Sequence, residues 1–265
     1  MIKAIFIDFD GTLYSHRYER IPDSALDAVI ALRKKGYKVF ISSGRSLPQL
    51  NTFDLRGLEF DGYVLSNGQV LLDENKNILK ASFIKGKEKD ILVDIYNKKE
   101  IPTMFTDLDG VYINMVDECS IKCHQDVGSD MPEIKEYDGK DFVMATLFSD
   151  KKEDKELMLS LAEYLNIAWW HKNSIDAINK GVTKLTGIKE ILDIYHIDIK
   201  DTLALGDNDN DKEMLEFCNI GIAMGNSDES ILDKVDYVTT DIDEDGLLNA
   251  FKHYNLLWLK LYYLI

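Results

Sequence analysis

The chain has 265 residues, 45% of them hydrophobic and 29% charged, enough apolar surface for a sizeable core in one large domain or two modest ones. Its formal net charge of −16 repels the backbone of nucleic acid, and no stripe of Lys or Arg offsets that field, which argues against a nucleic-acid-binding role. Three widely spread cysteines, Cys119, Cys123 and Cys218, argue against a disulfide framework and for a reducing, cytoplasmic location, and no apolar run reaches the roughly 20 residues that span a bilayer.

Residues 2–7 are an apolar run broken only by Lys3. They read as a buried strand, entered directly from Met1 with no secretory leader, and Asp8 lies at its C-terminal end. Pro22-Asp23-Ser24 opens a helix capped by Asp23 or Ser24, with Ala25, Leu26, Val29, Ile30 and Leu32 as its apolar face and Gly36 closing it. Residues 37–41 are the next strand, followed by Ser42-Ser43-Gly44-Arg45, a helix near 47–53 and a third strand at 63–65. This alternation predicts a doubly wound parallel sheet.

The pattern then turns to mixed α+β. Asn67-Gly68 and Glu74-Asn75-Lys76-Asn77 are turn signals between short strand-like runs. A helix follows near 87–97, then strand-like runs near 103–105, 111–115 and 142–148, a helix near 154–165 and a strand-like stretch beginning at Trp169-Trp170. From Gly181 the first pattern returns: a helix at 182–195, a strand at 202–205 ending in Gly206-Asp207, a helix at 213–217, a strand at 220–223, a short helix at 228–234, a strand at 237–238 and a helix from Asp245. The expected organisation is one α/β domain in two pieces, residues 1–83 and 180–265, with an α+β domain inserted over 84–179. A connection of about 100 residues is too long for a simple crossover loop. The apolar tail at 256–265 is expected to pack on the body or against a second copy in a homo-oligomer. Lys260 and two tyrosines interrupt it and argue against a membrane anchor.

Four segments sit at strand ends or helix starts of the α/β pattern, where open parallel sheets bind ligands. In Asp8-Phe9-Asp10-Gly11-Thr12, two acids can face one site: one carboxylate can attack phosphorus and the other can move protons. Ser43-Gly44-Arg45 offers a hydroxyl and backbone N–H groups to a phosphate oxygen, although Ser-Gly is also an ordinary turn. Lys184, on the first turn of a helix, can aim at a phosphate or simply be a solvated lysine. Gly206-Asp207-Asn208-Asp209-Asn210-Asp211 clusters acids that suit a hard cation such as Mg²⁺.

In this order, DxDGT, Ser-Gly-Arg, Lys and GDxxND, the motifs resemble the haloacid dehalogenase superfamily of phosphatases, and the inserted α+β segment resembles the C2-type cap of its Cof-type branch. The resemblance implies a Rossmann-like α/β core with an inserted α+β cap. It implies Mg²⁺-dependent hydrolysis of a small phosphorylated metabolite, a sugar phosphate or a cofactor phosphate, through an aspartyl phosphate. Asp8 would be the nucleophile and Asp10 the acid/base. Mg²⁺ would be bound by Asp8, the backbone carbonyl of Asp10 and Asp207, with Asp211 in support. Ser43 and Asn210 would contact the phosphoryl group beside Gly44 and Arg45, and Lys184 would stabilise Asp8 and the phosphate. Met224-Gly225-Asn226 resembles the segment after the fourth motif, and Asp176 is a candidate for the family's acidic residue before the third.

Two other readings fit the same residues: a sugar phosphomutase or phosphotransferase of the same fold, and a non-catalytic protein that binds a phosphorylated metabolite. Thr106-Asp107-Leu108-Asp109-Gly110 copies the DxDG string but lies between two strand-like runs, and is expected to be a hairpin turn. Cys119-x-x-x-Cys123-His124 has no second ligand pair at zinc-finger spacing, so its thiols read as structural or incidental.

Overall fold

The computed structural model describes residues 1–257. The expectation for the apolar tail therefore falls mostly outside the described residues; its first two, Leu256 and Leu257, are buried. In chain order the elements begin with β1 (Ala4–Asp8), α1 (Asp23–Lys34), β2 (Lys38–Ser42), α2 (Leu47–Leu50), β3 (Gly62–Leu65), β4 (Val70–Asp73) and β5 (Ile78–Ala81). Then come α3 (Gly86–Lys98), β6 (Thr103–Thr106), β7 (Val111–Ile113), α4 (Glu118–Asp126), β8 (Glu133–Ile134), β9 (Met144–Phe148), α5 (Lys152–Ser160), β10 (Leu165–His171) and β11 (Ser174–Asn179). Last are α6 (Lys184–Ile194), β12 (Thr202–Gly206), α7 (Lys212–Phe217), β13 (Ile220–Ala223), α8 (Glu229–Leu232), β14 (Tyr237–Val238) and α9 (Gly246–His253). None of the described helices is long and apolar enough to cross a membrane. The chain forms two compact units: one of Met1–Ile41, Leu55–Asp61 and the chain from Ile197 on, the other of Ser42–Asp54 and Gly62–His196.

The first unit is a parallel α/β layer. Its strands lie in the order β14-β13-β12-β1-β2, and β1, β12, β13 and β14 pair in parallel along that row. Every residue of β1 is buried. A strand covered on both faces has no polar face to alternate with, so it appears in sequence as an unbroken apolar run. Helix α1 buries Ala25, Ala28, Val29 and Leu32, one stripe at helical spacing, and packs on α9. Val29 and Leu32 are fully buried, each stabilising the fold by about 1.5–3 kcal/mol relative to exposure. Two details differ from expectation. Ile30 lies off the stripe and is 36% exposed. Neither Asp23 nor Ser24 caps the helix, because the N-cap position is Pro22 and Asp23 pairs with Arg56 instead.

The second unit holds two antiparallel systems. Strands β3, β4 and β5 form a meander. A separate six-stranded sheet runs β10-β11-β9-β6-β7-β8, antiparallel except for the β7–β8 pair. Its core gathers Leu92 and Tyr96 of α3 with Phe105, Phe142 and Leu147. Phe105 stacks on Phe142 at 3.9 Å between centroids and on Tyr96 at 4.3 Å, each pair adding about 0.5–1.5 kcal/mol beyond its buried area. The helix expected over 154–165 stops at Ser160, passes through a 3₁₀ turn at Leu161–Glu163, and Leu165, already in β10, pairs with Asn179 of β11. The antiparallel partner captures the end of that apolar run. Helix α4 was not expected. Its buried residues are Ser120, Cys123 and His124 rather than leucines, and its start is fixed by Asp117, which accepts from the Ser120 backbone N–H.

Candidate active site

The first unit brings together acids that lie far apart in sequence. The parallel register pairs Ile7 with Leu205, so β1 and β12 deliver Asp8 and the Gly206-Asp207 corner to the same sheet edge. One carboxylate oxygen from each of Asp8, Asp207 and Asp211 lies within 4.8 Å of the others. Asp8 and Asp211 are buried. Asp211 Oδ2 accepts from the backbone N–H groups of Asp207 and Asn208, at 3.1 and 3.2 Å, which folds the acidic loop back on itself. Asn210 is half-buried in the 3₁₀ turn Asp209–Asp211.

The turn after β1 is built to approach this loop. Thr12 Oγ1 donates to Asp207 Oδ1 at 3.1 Å. Gly11 has φ +76°, and a Cβ there would lie 2.3 Å from Asp207 Oδ2, so only glycine fits. Asn226 donates to the Gly11 carbonyl at 2.9 Å and accepts from the Ile242 N–H, tying two loops of the same edge together. Asp10, two residues beyond the strand's buried run, accepts at Oδ1 from His16 Nε2 at 2.8 Å.

The second unit holds the remaining expected residues. Ser43 is buried, and its Oγ accepts from the Arg45 N–H at 3.1 Å. Gly44 lies against the Asn67 side chain. The Arg45 guanidinium donates to Ser129 Oγ at 2.8 Å and the Val127 carbonyl at 3.3 Å, and lies over the Phe53 ring. Lys184 is 2% exposed and opens α6, whose N-cap Thr183 accepts from the Thr186 N–H. Gly68, at φ +96°, lets the turn before β4 meet that helix start: a Cβ there would be 2.2 Å from the Thr183 carbonyl. Asp176 on β11 is buried and accepts from Asn67 Nδ2 at 3.0 Å, Thr146 Oγ1 at 2.8 Å and Trp170 Nε1 at 3.1 Å. Burial pushes its carboxyl up to about 6, against the pull of those three donors and of the Lys184 charge.

The expected decoy is a hairpin turn. It joins β6 to β7, and Asp107 Oδ1 accepts from the Asp109 and Gly110 N–H groups at 2.8 Å each. The cysteines are free. Burial pushes the Cys123 and Cys218 thiols up to about 12, which keeps them protonated and inert. Thr12, His16 and Asn67 were not picked out as functional from sequence. Thr12 was visible inside the DxDGT string and Asn67 as a turn residue, while His16 had no signal.

A family model described as haloacid dehalogenase-like hydrolase matches residues 5–251. Among known proteins, YkrA of Bacillus subtilis (strain 168) is 34% identical over 260 residues, covering 96% of this chain and 98% of its own length. The 5-amino-6-(5-phospho-D-ribitylamino)uracil phosphatase YcsE of the same organism is 25% identical over 258 residues, 96% of each chain. Among solved structures, the HAD subclass IIB sugar phosphatase BT4131 superposes with a TM-score of 0.84 at 32% identity, covering 96% of this chain and all of that one. The chain belongs to the haloacid dehalogenase-like hydrolase family. Within it, the chain is a phosphatase with an α/β parallel-sheet core.

Proposed function

We propose that this phosphatase hydrolyses a small phosphorylated metabolite, a sugar phosphate or a cofactor phosphate, with Asp8 as nucleophile and Mg²⁺ as cofactor. The observation that carries this reading is the meeting of Asp8, Asp207 and Asp211 at one strand edge. Three carboxylates with no sulfur or imidazole among them fit a hard, oxygen-loving cation. Mg²⁺ would be held by Asp8, the Asp10 backbone carbonyl and Asp207, with Asp211 in support, and when bound would offset the negative charge of acids and phosphate.

Asp8 attacks phosphorus; its Oδ–P bond forms as the ester P–O bond breaks. Asp10 gives its proton to the departing alkoxide. Asp10 then takes a proton from water, whose oxygen attacks the aspartyl phosphate and releases inorganic phosphate and free Asp8. Ser43, Gly44, Arg45 and Asn210 would cradle the phosphoryl oxygens, with Lys184 opposing the charge of Asp8 and the phosphate. Residues 84–179 would act as an inserted cap that selects the substrate. The names of YcsE and BT4131, a phospho-ribityl and a sugar phosphatase, support the substrate class, and the free buried thiols suit a reducing cytoplasm.

Phosphate release from a panel of phosphorylated sugars and cofactors, with Mg²⁺ or EDTA, tests this for the native chain and Asp8→Asn. Activity should need Mg²⁺, and Asp8→Asn should lose at least about 10³-fold. Release that persists in Asp8→Asn would sink the mechanism, and phosphate passed to a second sugar instead of to water would mark a phosphotransferase.

A further inference from the structure

We propose that His16 is a positioning residue for Asp10, a role that rests on the reading of Asp10 as the reaction's acid and base. His16 Nε2 lies 2.8 Å from Asp10 Oδ1. A carboxylate can only accept, so an ionised Asp10 requires His16 to present Nε2–H. A bond at Oδ1 fixes the plane of the carboxyl group. That plane sets the direction in which Oδ2 carries the proton to the leaving oxygen.

The chain around His16 is organised to keep this contact. Residues 9–20 form a double turn. Leu13 and Tyr14 N–H groups donate to the Phe9 carbonyl, Gly11 N–H donates to the Tyr14 carbonyl, and Ser15 and Arg20 exchange two backbone bonds at 3.0 and 3.2 Å. Ser15 Oγ anchors the turn by donating to Asp243 Oδ1 at 2.6 Å. The His16 ring sits edge-on to Tyr14, with centroids 5.4 Å apart, and Tyr14 stacks on the buried ring of Phe9 at 5.4 Å. The imidazole is therefore held from behind by an aromatic stack, beside an Asp10 carboxyl that is 34% exposed. Misplacing a catalytic group by about 1 Å can cost 10²-fold in rate.

The test compares two esters whose leaving groups differ in their need for a proton: p-nitrophenyl phosphate, whose phenolate leaves unprotonated, and the best alkyl phosphate of the metabolite panel. The readout is kcat/KM, which covers steps only up to the aspartyl phosphate. His16→Ala should lower it about 10- to 100-fold for the alkyl ester and less than about 3-fold for the aryl ester. His16→Gln, which still offers a side-chain N–H, should recover most of the alkyl-ester rate. A misfolded variant would lose both esters equally, so the contrast within one protein separates positioning from damage. Equal loss on both esters, no loss on the alkyl ester, or no recovery in His16→Gln would each overturn the proposal. Asp10→Asn is measured alongside: if it shows no preference between the esters, the acid role of Asp10 itself fails, and that result does not depend on His16.

Discussion

At the scale of single residues, Asp176 is a group with much to lose from ionisation. It is buried, and its carboxyl is pushed from 3.8 to about 6 by that burial. Between those values the native state holds a proton that the unfolded chain has released. Stability contributed by the protonated form is complete below pH 3.8 and is lost as pH rises through about 6. Asp176→Asn abolishes the titration while still offering an oxygen to Thr146 and Trp170. We predict that urea melts of the two proteins converge or cross as pH rises from 4 to 7, the native chain losing on the order of 2–3 kcal/mol relative to the variant. A difference that does not change with pH would mean that Asp176 stays ionised as the partner of Lys184. The same side chain shows where sequence reasoning stops. Asp176 was a candidate only through family resemblance, because a buried acid is recognised by Asn67, Thr146 and Trp170 closing around it, and no local pattern joins those four positions. His16 is a sharper case: its bond to Asp10 depends on the backbone of a turn stitched at Ser15 and Arg20.

At the scale of elements, legibility followed burial. Strand β1 was legible because both its faces are covered, and the turn between β6 and β7 because an Asp-x-x-Gly turn between strand-like runs has its own chemistry. Helix α4 was hidden: its short buried stripe of Ser120, Cys123 and His124 carries none of the aliphatic spacing that marks a helix. The β6–β7 turn also makes a prediction. Asp107 Oδ1 satisfies two backbone donors there, so Asp107→Ala should destabilise the protein by about 1–2 kcal/mol in denaturant melts and leave kcat unchanged. A fall in kcat with unchanged stability would move Asp107 from scaffold to substrate contact. Arg45 has a comparable structural duty, since its guanidinium holds the Val127 carbonyl and Ser129 just past the end of α4.

At the scale of the whole molecule, a net charge of −16 surrounds an enzyme whose substrates are anions. Long-range repulsion slows their encounter, and salt screens it as the Debye length shrinks from about 30 Å at 0.01 M to about 8 Å at 0.15 M. With Mg²⁺ saturating, kcat/KM for a dianionic ester should therefore rise about two- to five-fold over that range. A fall would show that cationic groups at the site govern capture from a distance.

The pairing of β1 with β12 has a consequence for how the enzyme comes into being. A ribosome makes β1 well before the strand beside it at Thr202–Gly206, which follows about 200 residues later; at 5–20 residues per second that is a wait of roughly 10–40 s. Through that interval the apolar run 4–7 lacks one hydrogen-bonding neighbour, which invites chaperone holding or wrong pairing. Asp8 is made about 200 residues before Asp207 and Asp211, so the carboxylate cluster is completed only once β12 has been made, and two fragments cut between α6 and β12, each inert alone, should regain activity when mixed.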